Sequence, residues 1–191
     1  MNNAYPETPP PENEPVRAYA PGSEDRRSVQ ERLRELRNQT VEIPAFVGGT
    51  PVYPGSTSEV VPPHDHQHTL GEVHQSGKAT VDDAIDAAME AKAEWAAMDF
   101  SDRAAIFRRA ADLIAGPYRV TLNAAIMLGQ GKSIHQADID AACELIDFLR
   151  FNVHYAEQFY LDHPNVSQGI WHHMQYRPLE GFVLAVTPFN F

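Results

Sequence analysis

Cys143 is the single cysteine of the 191-residue chain and therefore its only possible thiol nucleophile. Reactive thiolates favour helix N-termini or cationic neighbours. Cys143 instead lies in Ala141-Ala142-Cys143-Glu144-Leu145, inside a helical stripe of apolar residues, which predicts a buried structural thiol. Gly129-Gln130-Gly131-Lys132-Ser133 ends like a phosphate-binding loop, whose backbone N–H groups would cradle an anion. That loop also needs a glycine five residues before the second one, where this chain has Ile126, and no buried strand precedes it. A helix ended by Gly129 and followed by a new helix start is the reading these residues favour. His64, His66 and His68 would share one face of a strand and could hold a divalent metal. Pro62-Pro63 comes just before them, and no Cys/His pair follows at zinc-finger spacing, so a solvated loop without metal is expected. His172 and His173 are adjacent and would face opposite ways on a strand. No Gly-x-Gly-x-x-Gly dinucleotide fingerprint occurs.

The elements that carry these residues follow from composition and periodicity. Fifteen basic against 26 acidic side chains give a net charge of −11, which repels phosphate backbones and argues against nucleic-acid binding. Hydrophobic residues make up 43% of the chain, enough for a core. No run approaches the roughly 18 apolar residues of a membrane span. One cysteine excludes an internal disulfide framework and suits a reducing compartment. Residues 1–15 hold five prolines and three glutamates and read as a flexible lead-in. They resemble neither a secretory signal nor a transit peptide, which points to the cytoplasm, with the mitochondrial matrix as the alternative in a eukaryote.

Ser23 caps a helix with Val29, Leu33 and Leu36 on one face; the charged opposite face reads as solvated. Between Ile43 and Gln75, apolar runs at Ala45–Val47, Pro51–Tyr53 and Glu59–Val61 alternate with turn formers, predicting short antiparallel strands. Thr80 is expected to cap a helix from Val81 to about Ala97, and Ser101 a second that Gly116-Pro117 ends. A third is predicted from Tyr118 to Leu128, closed by Gly129, and a fourth from Ser133 to about Tyr160. Gly169–Tyr176 reads as an exposed strand, and the apolar run Phe182–Val186 as a strand covered on both faces in a parallel sheet. The residues alone thus define an α/β chain, and the first strand of a parallel sheet so near Phe191 suggests the N-terminal part of a larger protein.

Several separated groups of residues carry a resemblance. Ala84–Ala88 through Trp95, then Arg103 with Ala110–Ile114, then Gly131-Lys132 and the long helix after it, resemble the N-terminal half of the NAD(P)-dependent aldehyde dehydrogenase superfamily. Gly129–Ser133, Gln136–Ala142, Glu144–Phe148, Arg150–Asn152, Tyr176–Phe182 and Thr187–Phe191 resemble its Δ1-pyrroline-5-carboxylate dehydrogenase branch, from about Asn13 onward. The resemblance implies a helix-rich part of a Rossmann-like NAD-binding domain over 16–165, a strand of the oligomerisation flap over 166–178, and the first strand of the Rossmann-like sheet over 179–191. It implies NAD as cofactor, oxidation of glutamate γ-semialdehyde to glutamate in proline catabolism, and a homo-oligomer with no membrane or nucleic-acid partner. Asn190 would stabilise the oxyanion, and Thr187, Pro188 and Phe189 would lie in the cofactor site. Phe191 and Glu144 would lie near the substrate. The family's nucleophilic cysteine and glutamate base have no counterpart in these residues, so the chain by itself is expected to be inactive. The competing expectation is a helical interaction module that binds a full-length subunit.

Overall fold

The computed structural model describes residues 7–165 and 167–187. Helix α1, Glu24–Arg37, begins where expected: the Ser23 hydroxyl accepts from the Arg26 N–H. Glu24 and Asp25 sit in the first turn and Arg34 and Arg37 in the last, each opposite in sign to the helix-dipole end beside it. Val29 is its buried residue, and its partner is helix α4.

The next segment forms five short strands, β1 Val41–Ile43, β2 Ala45–Val47, β3 Thr50–Val52, β4 Thr57–Val60 and β5 Gly71–His74. β2 and β3 make an antiparallel hairpin across Gly48 and Gly49, both at positive φ (55° and 78°), as a two-residue hairpin turn demands. The remaining three form a sheet of order β1-β5-β4. β4 and β5 are antiparallel, but β1 and β5 run parallel, which corrects the expectation of antiparallel strands throughout. The hairpin and β4 lie between them in sequence and supply the long connection that a parallel pair needs.

Helix α2 spans Lys78–Ala97 with Gly77 at its N-cap, one turn before the expected Thr80. A Lys78–Asp82 ion pair at i,i+4 supports that extra turn. Helix α3, Phe100–Leu113, is likewise capped by Asp99 and not by Ser101, which brings Phe100 into the helix and against Tyr160 (ring centroids 5.0 Å apart). Gly116-Pro117 kinks the chain without ending it. A π-turn over Ile114–Tyr118, broken at Gly116 (φ −100°, ψ −106°), leads directly into α4, Arg119–Gln130. Gly129 remains helical. The cap is Gly131, at φ 67°, whose N–H reaches the Met127 carbonyl. Ser133 and Gln136 form a reciprocal capping box for α5, Ile134–Ala137, which passes through a π-turn over Asp138–Cys143 into α6, Glu144–Leu161.

Ala111, Ala142 and Ile146 form the fully buried centre, with Ile114, Ala115 and Leu149 around it. Two alanines at the crossing let α3 and the α6 unit approach closely. Two expectations fail outside this core. Residues 7–15 are no loose lead-in: Glu157 on α6 accepts from the Thr8 N–H (2.9 Å) and hydroxyl, and Asp147 accepts from Asn13 and from the Glu14 N–H, both at 2.7 Å. Polar anchors, not apolar burial, order this arm. Neither Gly169–Tyr176 nor Phe182–Val186 forms a strand, because no described residue offers either a ladder partner, and Val183, Leu184 and Val186 are exposed.

Candidate functional site

The densest polar cluster is built around Asp138, which is fully buried where the π-turn widens the α5–α6 helix. Arg119, at the start of α4, grips it with Nε (2.9 Å to Oδ1) and Nη2 (2.8 Å to Oδ2). Tyr19 donates its hydroxyl at 2.7 Å, Asn123 its amide at 2.8 Å, and Arg17 its backbone N–H at 2.9 Å. Arg119 also reaches Glu14 (2.5 Å), the Pro15 carbonyl (2.8 Å) and the Cys143 sulfur (3.2 Å), while Arg150 holds the other Glu14 oxygen at 2.9 Å. Burial alone would raise the Asp138 pKa, but donation from Arg119, Arg17, Tyr19 and Asn123 outweighs it and holds the value down to about 2. Burial, then Asp138, pushes Tyr19 up to about 12. Burial opposes the Arg119 charge, and Asp138 more than restores it, raising that pKa. A carboxylate so fully engaged has no lone pair left for base chemistry. The cluster is a latch that docks residues 14–19 onto the π-turn.

Cys143 belongs to this latch. It is buried, as expected, and burial raises its pKa even though Arg119 acts in the opposite direction. The cationic neighbour was not legible from sequence, because Arg119 lies 24 positions away on another helix. The visible signal was a polar pair at i,i+4, Arg119 and Asn123, within a mostly apolar helix.

Gly129–Ser133 is a helix end followed by a capped helix start, and Lys132 pairs with Asp140 at 2.5 Å. His64, His66 and His68 lie in turns, with Asp65 bound by Arg37 at 2.8 Å. Among the described residues no group of three or more His, Cys, Asp or Glu side chains is placed to hold a metal. Glu144 is half-buried at the start of α6, and Thr187 is exposed. Pro188, Phe189, Asn190 and Phe191 lie outside the described residues, so of the expected site only Glu144 and Thr187 are placed. The structure does show an apolar groove of about 390 Å³ between α3 and α6, walled by Trp95, Phe100, Phe107, Phe148, Asn152 and Tyr160.

The chain belongs to the aldehyde dehydrogenase family, which residues 52–191 match. Within it, the chain is similar to Δ1-pyrroline-5-carboxylate dehydrogenases. It is 48% identical to that of Agaricus bisporus over 185 residues, 96% of this chain and 34% of the relative. It is 43% identical to the mitochondrial one of Dictyostelium discoideum over 184 residues, 96% of this chain and 33% of that one. The crystal structure of the Mycobacterium tuberculosis Δ-pyrroline-5-carboxylate dehydrogenase bound with NAD and cobalamin matches with TM-score 0.96 and 47% identity, over 100% of this chain and 36% of that one. The chain thus spans about a third of the length of the curated relatives it matches.

Proposed function

We propose that the chain works as part of an NAD-dependent Δ1-pyrroline-5-carboxylate dehydrogenase that oxidises glutamate γ-semialdehyde to glutamate. The carrying observation is the fit to the Mycobacterium tuberculosis enzyme, at TM-score 0.96 and 47% identity along the whole chain. Bound NAD accepts the hydride in this chemistry. The chain's own part is to position and polarise. Asn190 supplies an amide donor that meets the negative charge of the tetrahedral state, a charge nearly absent from the ground-state aldehyde. Thr187, which is exposed, would flank the cofactor with Pro188 and Phe189. Phe191 would pack along the substrate's aliphatic chain, and Glu144 would line its approach.

We assign 16–165 to the NAD-binding domain and 166–178 to the oligomerisation flap of a homo-oligomer, and 179–191 to a segment that would become the first strand of the Rossmann-like sheet only when the rest of that sheet supplies its ladder partner. The site of action is the cytoplasm, or the mitochondrial matrix in a eukaryote. No described helix is long and apolar enough to cross a membrane.

The test is a chimera in which residues 7–191 replace the matching third of the Agaricus bisporus enzyme. Reduction of NAD with pyrroline-5-carboxylate at a rate near the parent's is expected. A soluble, oligomeric chimera that binds NAD but oxidises a different aldehyde in preference would overturn the substrate assignment.

A further inference from the structure

His74, at the end of β5, is held on both ring nitrogens by groups that can only accept. Nδ1 lies 2.5 Å from the Pro54 carbonyl oxygen, and Nε2 lies 2.9 Å from a carboxylate oxygen of Glu42 on β1. A neutral imidazole carries one N–H and can satisfy only one of them. The imidazolium carries two. The side chain is only 10% exposed, and the Tyr53 ring stands edge-on to it at 5.2 Å, so the ring has little freedom to turn away.

We propose that His74 is a pH-gated clamp: only its doubly protonated ring ties the 53–56 turn and β1 to β5 at once. The turn has one further tie to this strand end, from the Gln75 N–H to the Ser56 carbonyl at 2.8 Å. Among the described residues, the charged groups acting on the ring are acidic. Glu42 faces it from β1 and Glu72 lies on β5 itself, while β4 presents the uncharged Thr57 opposite it. The Pro54 carbonyl first, then Glu42, raises the His74 pKa above the ordinary value of 6.5. Because the folded value is the higher one, the clamp's contribution is complete below about 6.5 and fades as pH rises through the folded value. Above that pH the neutral ring keeps only one of the two bonds, so it no longer ties the turn and β1 to β5 at once; where the Pro54 bond is the one lost, the turn rests on the Gln75–Ser56 bond and the Tyr53 ring contact.

The experiment is a ¹⁵N titration of the imidazole rings in the 191-residue chain, with hydrogen exchange at Gln75 followed in parallel. Both His74 nitrogens should carry protons below the midpoint, and the midpoint should lie above that of an ordinary histidine. Glu42→Gln, a conservative change at an exposed side chain, should lower the midpoint. Exchange at Gln75 should accelerate through the midpoint beyond its intrinsic base-catalysed increase, and His74→Gln should abolish that extra step. Mass-spectrometric exchange over the peptide spanning 50–76 reads the same opening if the ring signals overlap. An ordinary or lower midpoint, a midpoint unmoved by Glu42→Gln, or exchange indifferent to His74 would overturn the clamp.

Discussion

Asp138 and Arg119 show what a buried charge requires at the scale of one residue. Each is fully buried, and each is tolerated because every charged oxygen or nitrogen that matters has a partner. Removing the carboxylate with Asp138→Ala strands the guanidinium and should cost roughly 3–5 kcal/mol in urea-unfolding stability. A loss below about 1 kcal/mol would mean that Glu14 alone satisfies Arg119. The same pair predicts acid behaviour. The Asp138 pKa is depressed to about 2, so its stabilisation is present above about 4 and is lost as pH falls toward about 2. Asp138→Asn should flatten that part of the acid-unfolding curve. Asn190 is the residue for chemistry rather than stability. In the chimera, Asn190→Ala should slow single-turnover hydride transfer about 10²–10³-fold, roughly 2.7–4 kcal/mol, with NAD affinity changed little. Hydride transfer within about threefold of the parent, together with collapsed NAD binding, would make Asn190 a turn residue.

At the scale of elements, joints govern the architecture. β1 lies so close to β5 that a Cβ on Gly71 would collide with the Val41 carbonyl oxygen. Gly71→Ala should therefore detach β1 selectively, seen as lost exchange protection at Val41 while α3 and α6 stay protected; protection retained at Val41 would show that the strands slide apart cheaply. Gly131 answers a different demand, a left-handed φ of 67° that closes α4. Ser133, two residues on, caps α5, and Ser133→Ala should lower stability by about 1 kcal/mol. A melt coincident with wild type would show that Gln136 holds the end unaided.

At the scale of the whole molecule, the described residues leave much apolar surface uncovered. α2 has no buried residue, the groove between α3 and α6 is open, and Trp171 and Val186 are 80% and 85% exposed. Apolar surface on this scale attracts other apolar surface. The 191 residues as a separate chain should bind a hydrophobic dye and self-associate in sedimentation; a dye-silent monomer with a sharp thermal transition would contradict this. They should also show no turnover with pyrroline-5-carboxylate and NAD, since Cys143 is buried with a raised pKa. Turnover abolished by Cys143→Ala would overturn the structural reading of that thiol.

What sequence alone determined is what neighbouring residues decide between themselves. Ser23 and Ser133 cap helices because the hydroxyl needs only an N–H three residues on, and Gly48-Gly49 turns a hairpin because two positive φ angles suffice. Motifs in order along the chain likewise sufficed for the family. Where two local signals competed, the residues could not choose: Gly129 and Gly131 both suit a helix end, and the choice fell to Gly131, which lies beside Pro63. Tertiary structure alone decided the parallel pairing of β1 with β5, the ordering of residues 7–15 by Glu157 and Asp147, and the grip of Arg119 on Asp138. Each joins groups far apart in sequence, and its free energy comes from desolvated partners that no local pattern displays. Phe182–Val186 marks the limit from the other side: an apolar run carries strand propensity, but a strand exists only where another backbone meets its hydrogen bonds.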